Sequence, residues 1–179
     1  EFGMLGAGDP TQGYLWTAEQ LFYTMWALHE MPPAFIKYTK YIRRIPILPS
    51  HPTAHAYVIR GQPRVYFCDR GIRPGGYERT LIHEMAHVWM FDSENLAVKN
   101  DFMETFWPDN RIVGSAPTGY GYTNVYEDFA ECVAEFWQHP LEFKAMCPAR
   151  FEFILHKVIG YYSTEPRAFS INTDLTGTY

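Results

Sequence analysis

Tyr77-Glu-Arg-Thr-Leu-Ile-His83-Glu84-Met85-Ala86-His87-Val-Trp-Met-Phe91 is the stretch on which the reading of this chain turns. Leu81, Ile82, Met85, Ala86, Val88 and Trp89 cover nearly the whole circumference of a helix, so Tyr77 to Phe91 is expected to be a helix buried on most sides. At about 100° per residue, His83 and His87 stand about 40° and one turn apart, and both imidazoles can reach one metal ion. Glu84 cannot join them as a third ligand. It projects beside the pair, where a carboxylate can take a proton from a water and return it to a leaving amine. The pattern would arise by chance in about 2% of chains of this composition. An unpaired carboxylate on so apolar a helix costs on the order of several kcal/mol, and a cation with its water removes most of that penalty.

The third ligand must come from elsewhere in the chain. Three and six residues after His87 stand Met90 and Ser93, where a metzincin would carry Gly and His, so that arrangement is excluded. The next strong helix is expected over Asn124 to Gln138, with an apolar stripe of Tyr126, Phe129, Ala130, Val133 and Trp137. Measured from that stripe, Glu127, Glu131 and Glu135 fall near about 100°, 140° and 180°. Glu127 therefore borders the buried face, Glu131 suits a partner for the free ring N–H of a ligand His, and Glu135 is expected to face water. Spacing leaves Glu127 open between two roles, because Asn124-x-x-Glu127 is also a capping box.

His83-Glu-Met-Ala-His87 together with Tyr120-Gly-Tyr-Thr-Asn-Val-Tyr-Glu127-Asp-Phe-Ala-Glu131 resembles the catalytic domain of anthrax toxin lethal factor and its relatives, among them the secreted Pro-Pro endopeptidases of clostridia. The resemblance implies a zincin fold in which Glu127 is the third zinc ligand, Tyr120 stabilises the oxyanion and Glu131 orients the site. Cys147-Pro-Ala-Arg-Phe-Glu-Phe-Ile154 is similar to the family's Pro-x-x-Phe/Tyr segment, and Pro33 to Ile47 to its opening helix and strand. The likeness spans roughly Pro33 to Tyr161. It implies a secreted or delivered bacterial-type protease, whereas three cysteines argue against an oxidising compartment.

The rest of the chain frames that site. With 179 residues it is long enough for one substantial core, and Glu1-Phe2-Gly3-Met4 reads as a cloning scar ahead of one catalytic domain over residues 5–179. Twenty acidic against fifteen basic residues give a net charge of -5 with no basic block, which excludes nucleic acid as a partner. No apolar run approaches the roughly 18 residues of a membrane span. Cys68, Cys132 and Cys147 are expected to be reduced and buried.

Thr17-x-x-Gln20 opens a first helix that Pro32-Pro33 stops, and a short second helix follows over Ala34 to Lys40. Tyr41 to Leu48 reads as a strand, and His55 to Arg60 with Arg64 to Cys68 as a hairpin across Gly61-Gln62-Pro63. Pro63 and the arginines mark Arg64 to Cys68 as a sheet edge, so Val65, Tyr66 and Phe67 become a possible rail for an extended substrate. Ser93 to Thr123 is expected to be irregular apart from a helix near Asn100 to Trp107, and Arg150 to Tyr161 to be the last helix. Strands followed by helices indicate α+β, a small mixed sheet and an active-site helix with a C-terminal helical part carrying the third ligand.

The expected function is a monomeric endopeptidase with one catalytic Zn2+ held by His83, His87 and Glu127, acting on a peptide or protein substrate with Glu84 and Tyr120 as its catalytic residues. Two other readings stand beside it: an inactive protein-binding module whose metal is structural or absent, and a toxin or effector protease domain of a larger delivered protein.

Overall fold

The computed structural model describes residues 15–160 apart from 32, 49, 73 and 74; the expected cloning scar and Tyr161 lie outside the described residues. Its architecture is mixed α+β, mostly helical, with one three-stranded sheet. Helices α1 (Ala18–Glu30) and α2 (Pro33–Tyr38) lead into β1 (Tyr41–Ile45), β2 (Ala56–Val58) and β3 (Arg64–Cys68). Then come α3 (Tyr77–Phe91), α4 (Leu96–Phe106), α5 (Val125–Gln138), α6 (Pro140–Met146) and α7 (Pro148–Phe153), the last running on into a π-helical turn over Ile154–Ile159. The capping box at the start of α1 is formed in full, Thr17 and Gln20 each accepting the other's backbone N–H at 3.2 and 2.9 Å.

The sheet order is β1-β3-β2, with β1 parallel to β3 and β2 antiparallel to it. The expected hairpin is present, pairing Ala56 with Phe67 and Val58 with Val65. The expected edge is not. β3 is the central strand, and Val65, Tyr66 and Phe67 are buried. Pro63 does not prevent this, because it precedes the strand and its carbonyl accepts the N–H groups of Lys40 and Tyr41.

Residues 81 to 90 of α3 are all buried, as the run of apolar side chains requires. Trp89 stacks on Phe129 of α5 at 5.4 Å, and Phe102 of α4 meets Phe129 edge-on at 5.2 Å. Much of the aromatic excess therefore fills the core: Trp89, Phe35, Phe67, Phe102, Phe129 and Phe143 are fully buried. Asn95 closes the end of α3 from inside the core, its Nδ2 donating to the Trp89 carbonyl at 2.8 Å. Cys68, Cys132 and Cys147 are buried free thiols, and no helix among the described residues is long and apolar enough to cross a membrane.

A buried ion pair ties α5 to α7 and to the chain between α4 and α5. Asp128 of α5 is fully buried; Arg150 of α7 donates to it through Nε at 3.0 Å and through a terminal nitrogen at 2.7 Å, and Trp107 Nε1 adds a third donor at 2.7 Å. The remaining Arg150 nitrogen donates to the Val113 carbonyl at 3.0 Å, and the guanidinium lies 4.5 Å over the Phe106 ring. Asp128→Asn should leave the Arg150 charge unmatched and lower stability by about 3–5 kcal/mol. Urea unfolding measures it; a loss below about 0.5 kcal/mol, as for an ordinary surface change, would contradict this account.

Candidate metal centre

His83 and His87 leave α3 on the side that faces the start of α5, where Asn124 caps the helix. Asn124 Oδ1 accepts the N–H groups of Tyr126 and Glu127 at 2.9 and 3.1 Å. The two readings of Glu127 thus use different atoms of one residue. Its backbone N–H belongs to the cap, and its carboxylate turns to the histidines.

Glu127 Oε2 lies 3.0 Å from His83 Nε2 and 3.2 Å from His87 Nε2, and the two nitrogens are 3.1 Å apart. Ligands about 2.0–2.1 Å from a tetrahedral ion stand roughly 3.3 Å from one another, so the trio has close to the spacing that such an ion requires. Two imidazole nitrogens facing each other with one carboxylate oxygen form a donor set that a divalent cation satisfies better than a shared proton does. Among the described residues this is the group of His, Cys, Asp and Glu able to hold a metal ion.

Behind His83 stands Glu131, whose Oε1 is 2.8 Å from His83 Nδ1, off the line of an ideal hydrogen bond. Arg79 donates to both Glu131 oxygens at 3.2 and 2.6 Å, and Thr118 Oγ1 donates at 2.5 Å. Arg79 also reaches Glu135 at 3.0 Å. Glu135 is therefore buried between α3 and α5 and does not face water: residues 128 to 135 of α5 are buried on every side, and the guanidinium offsets two carboxylates at once. Among the described residues His87 has no such partner, and its Nδ1 is buried without a hydrogen bond.

Tyr120 is carried by a 3₁₀ turn over Tyr120–Tyr122, its ring centroid 5.9 Å from that of His83, while its phenol stays exposed toward the cleft. Tyr122 is exposed and does not line the cleft. Gly121 is required by close approach, since a Cβ there would meet Ala116 at 3.0 Å and the Asp128 backbone at 3.5 Å. At Gly119 a Cβ would meet nothing within 4 Å. Thr118 Oγ1 accepts the Gly121 N–H at 3.3 Å, which links the tyrosine turn to Glu131. The cleft, about 270 Å³, is lined by His83, Glu84, His87, Glu127 and Tyr120, with Phe91 and Tyr126 on one wall and β2 on another. The strand beside the site is thus the edge strand β2, and Val65, Tyr66 and Phe67 lie one strand away from the edge.

Burial opposes charge on every group here, and the neighbours decide the outcome. Burial lowers the His83 pKa, but the facing carboxylates of Glu127 and Glu131 outweigh it and carry the value up to about 9. Burial raises Glu127 and Glu131, yet His83 and His87 for the first, and His83, Arg79 and Thr118 for the second, bring each down to about 2. Glu84 is raised, chiefly because it is buried. Tyr120 is also raised, by burial first and then by Glu127, so its phenol keeps its proton.

Arg79 and Thr118 went unnoticed in the sequence. Arg79 had a signal, since it stands four residues before His83 on the same face of α3; Thr118 had none. No protein-family model matches the chain, and no curated protein matches it.

In the metal-free chain His83 is protonated at neutral pH, so a metal taking its Nε2 must displace one proton. Calorimetry at pH 7 in buffers of different ionisation enthalpy should find about one proton released per metal bound. Because the folded pKa of His83 lies above its ordinary 6.5, its contribution to metal-free stability is fully present below pH 6.5 and is lost as pH rises through about 9. The melting temperature of chelator-treated protein should fall across that window, and a flat profile would contradict the pairing of His83 with Glu127 and Glu131.

Proposed function

We propose that the chain is a zinc-dependent endopeptidase of the HExxH-plus-Glu kind, a zincin similar to the lethal factor catalytic domain. The observation that carries this reading is the convergence of His83 Nε2, His87 Nε2 and Glu127 Oε2 within 3.2 Å of one another, with Glu84 lining the same cleft. The spacing from Tyr120 to Glu127 and Glu131 supports it from the sequence side.

When bound, zinc supplies Lewis acidity: it makes a water nucleophilic near neutral pH and polarises a carbonyl. His83, His87 and Glu127 hold it, and Glu131, itself fixed by Arg79 and Thr118, keeps the His83 ring in place. Glu84 moves the proton. Its buried carboxylate accepts one from the attacking water and delivers it to the leaving amide nitrogen, so one water is consumed, the C–N bond breaks, and a carboxylate and an amine leave. The Glu84 pKa is raised, which brings a proton acceptor of ordinary acidity closer to the working pH. Tyr120, protonated and exposed to the cleft, donates to the oxygen on which negative charge develops. The free edge of β2 offers main-chain groups to an extended peptide, the role the sequence reading gave to Val65, Tyr66 and Phe67.

Glu84→Gln should bind zinc as the parent chain does and lose about 10²–10⁴-fold in peptide hydrolysis. Metal content by mass spectrometry and cleavage of a peptide library, with and without a chelator, measure both; zinc-independent cleavage, or cleavage by the variant at the parent rate, overturns the mechanism. Tyr120→Phe should lower kcat by about 10²-fold with zinc retained. An undiminished kcat in stopped assays of that variant would remove Tyr120 from the mechanism.

A further inference from the structure

One wall of the cleft ends in a cation that has no counter-charge among the described residues. Arg60 follows β2 in the turn Ile59–Gln62, which is closed by a 2.9 Å bond from the Gln62 N–H to the Ile59 carbonyl. Gly61 takes φ 79° there, the left-handed value that a type II turn needs at its third residue. The Arg60 guanidinium lies 5.6 Å from the Phe91 ring and 5.8 Å from the Tyr126 ring, and those rings are 5.2 Å apart. Phe91 in turn stacks on His87 at 5.9 Å and 10°. The rings that seat the guanidinium are therefore the rings that line the metal cleft.

Arg60 is exposed, and among the described residues no carboxylate or carbonyl pairs with it. Elsewhere the cations close to the site are used: Arg79 is taken up by Glu131 and Glu135, and Arg150 by Asp128. A guanidinium whose carbon lies over aromatic rings and whose N–H groups have no acceptor among the described residues can offer those groups to a carboxylate, which its planar fork matches through two parallel hydrogen bonds. The two rings also shield one side of it from water, which strengthens a charge-assisted bond made on the other.

We propose that Arg60 forms a carboxylate-binding subsite of the cleft, which selects peptides carrying an acidic side chain or a free C-terminal carboxylate close to the bond cut. The inference rests on the peptidase reading and names the substrate class of that same site. Lys at the corresponding substrate position is disfavoured by the same charge.

The test uses zinc-loaded protein and matched peptides that differ by Glu, Gln or Lys at each position flanking the cut, each with a free or an amidated C-terminus. At one position, or at the C-terminus, the parent chain should favour the carboxylate form over its neutral counterpart by about tenfold in kcat/KM, as a hydrogen bond to a charged group provides. Arg60→Gln, which keeps the polar stem without the charge, should bring that ratio to about one, and Arg60→Glu should turn the preference toward Lys. The Glu/Gln arm against the acid/amide arm separates a side-chain source from a C-terminal one. No preference in the parent chain, or the same ratio in Arg60→Gln, overturns the proposal. If the parent chain cleaves no peptide, the peptidase reading falls, and calorimetric binding of the Glu and Gln peptides decides the subsite by itself. Binding of the Glu peptide about tenfold weaker in Arg60→Gln sustains it, and equal binding overturns it.

Discussion

The ion pair between Asp128 and Arg150 sits where α5, α7, the end of α4 and the loop over residues 107–122 meet, and none of these can shift without uncovering a charge. Asp128 directly follows Glu127, so about 100° of helix separates a carboxylate aimed at the two histidines from one aimed into the core. Holding the second fixes the rotation of α5 and with it the direction of the first. The loop gains from the same anchor. Arg150 grips it at Val113, Trp107 grips Asp128, and Gly121 lies against the Asp128 backbone, which leaves the tyrosine turn only one way to lie over His83. A buried ion pair adds little to net stability against a well-packed apolar alternative, so its value here lies in orientation.

Four consecutive acidic positions on α5 show how the chain manages its negative charge. Glu127 faces two imidazoles, Asp128 faces Arg150, and Glu131 and Glu135 share Arg79. The excess of acid over base in the composition is therefore not only a solvated surface. Part of it is interior charge with assigned partners, and at Glu127 those partners are the two imidazoles of His83 and His87. Among the described residues these three side chains are the group that could hold a metal ion.

The helix α3 and its pair of histidines were legible because a buried helix writes its whole circumference in the sequence. Glu127 was legible only as a position, since helical angles place a Cα and leave the choice between cap and ligand to side-chain rotamers. The misplacement of β3 has a similar cause. A hairpin leaves both of its outer edges open, and the parallel pairing that covers one of them comes from β1, with nothing local to announce it. Val65 to Cys68, an unbroken apolar run, carried the better signal, because a strand covered on both faces need not alternate. Pro140 stands just beyond α5 and serves as the first residue of α6, a position where a missing N–H costs nothing. The Asp128–Arg150 pair, 22 residues apart across a turn and a helix, left no periodic trace at all.

The three buried thiols also make the chain its own reporter of opening. Burial raises the pKa of each, most strongly at Cys132, so none offers a thiolate to a reagent while the fold is closed. They are spread across distinct parts of the structure: Cys68 in the sheet, Cys132 in the middle of α5, and Cys147 at the start of α7, where its Sγ lies 3.3 Å from the Ser115 carbonyl of the loop over the site. Labelling rates at the three sulfurs are therefore three separate clocks, one for the sheet, one for the central helix and one for the strap of chain that carries Tyr120, with no probe added to the protein.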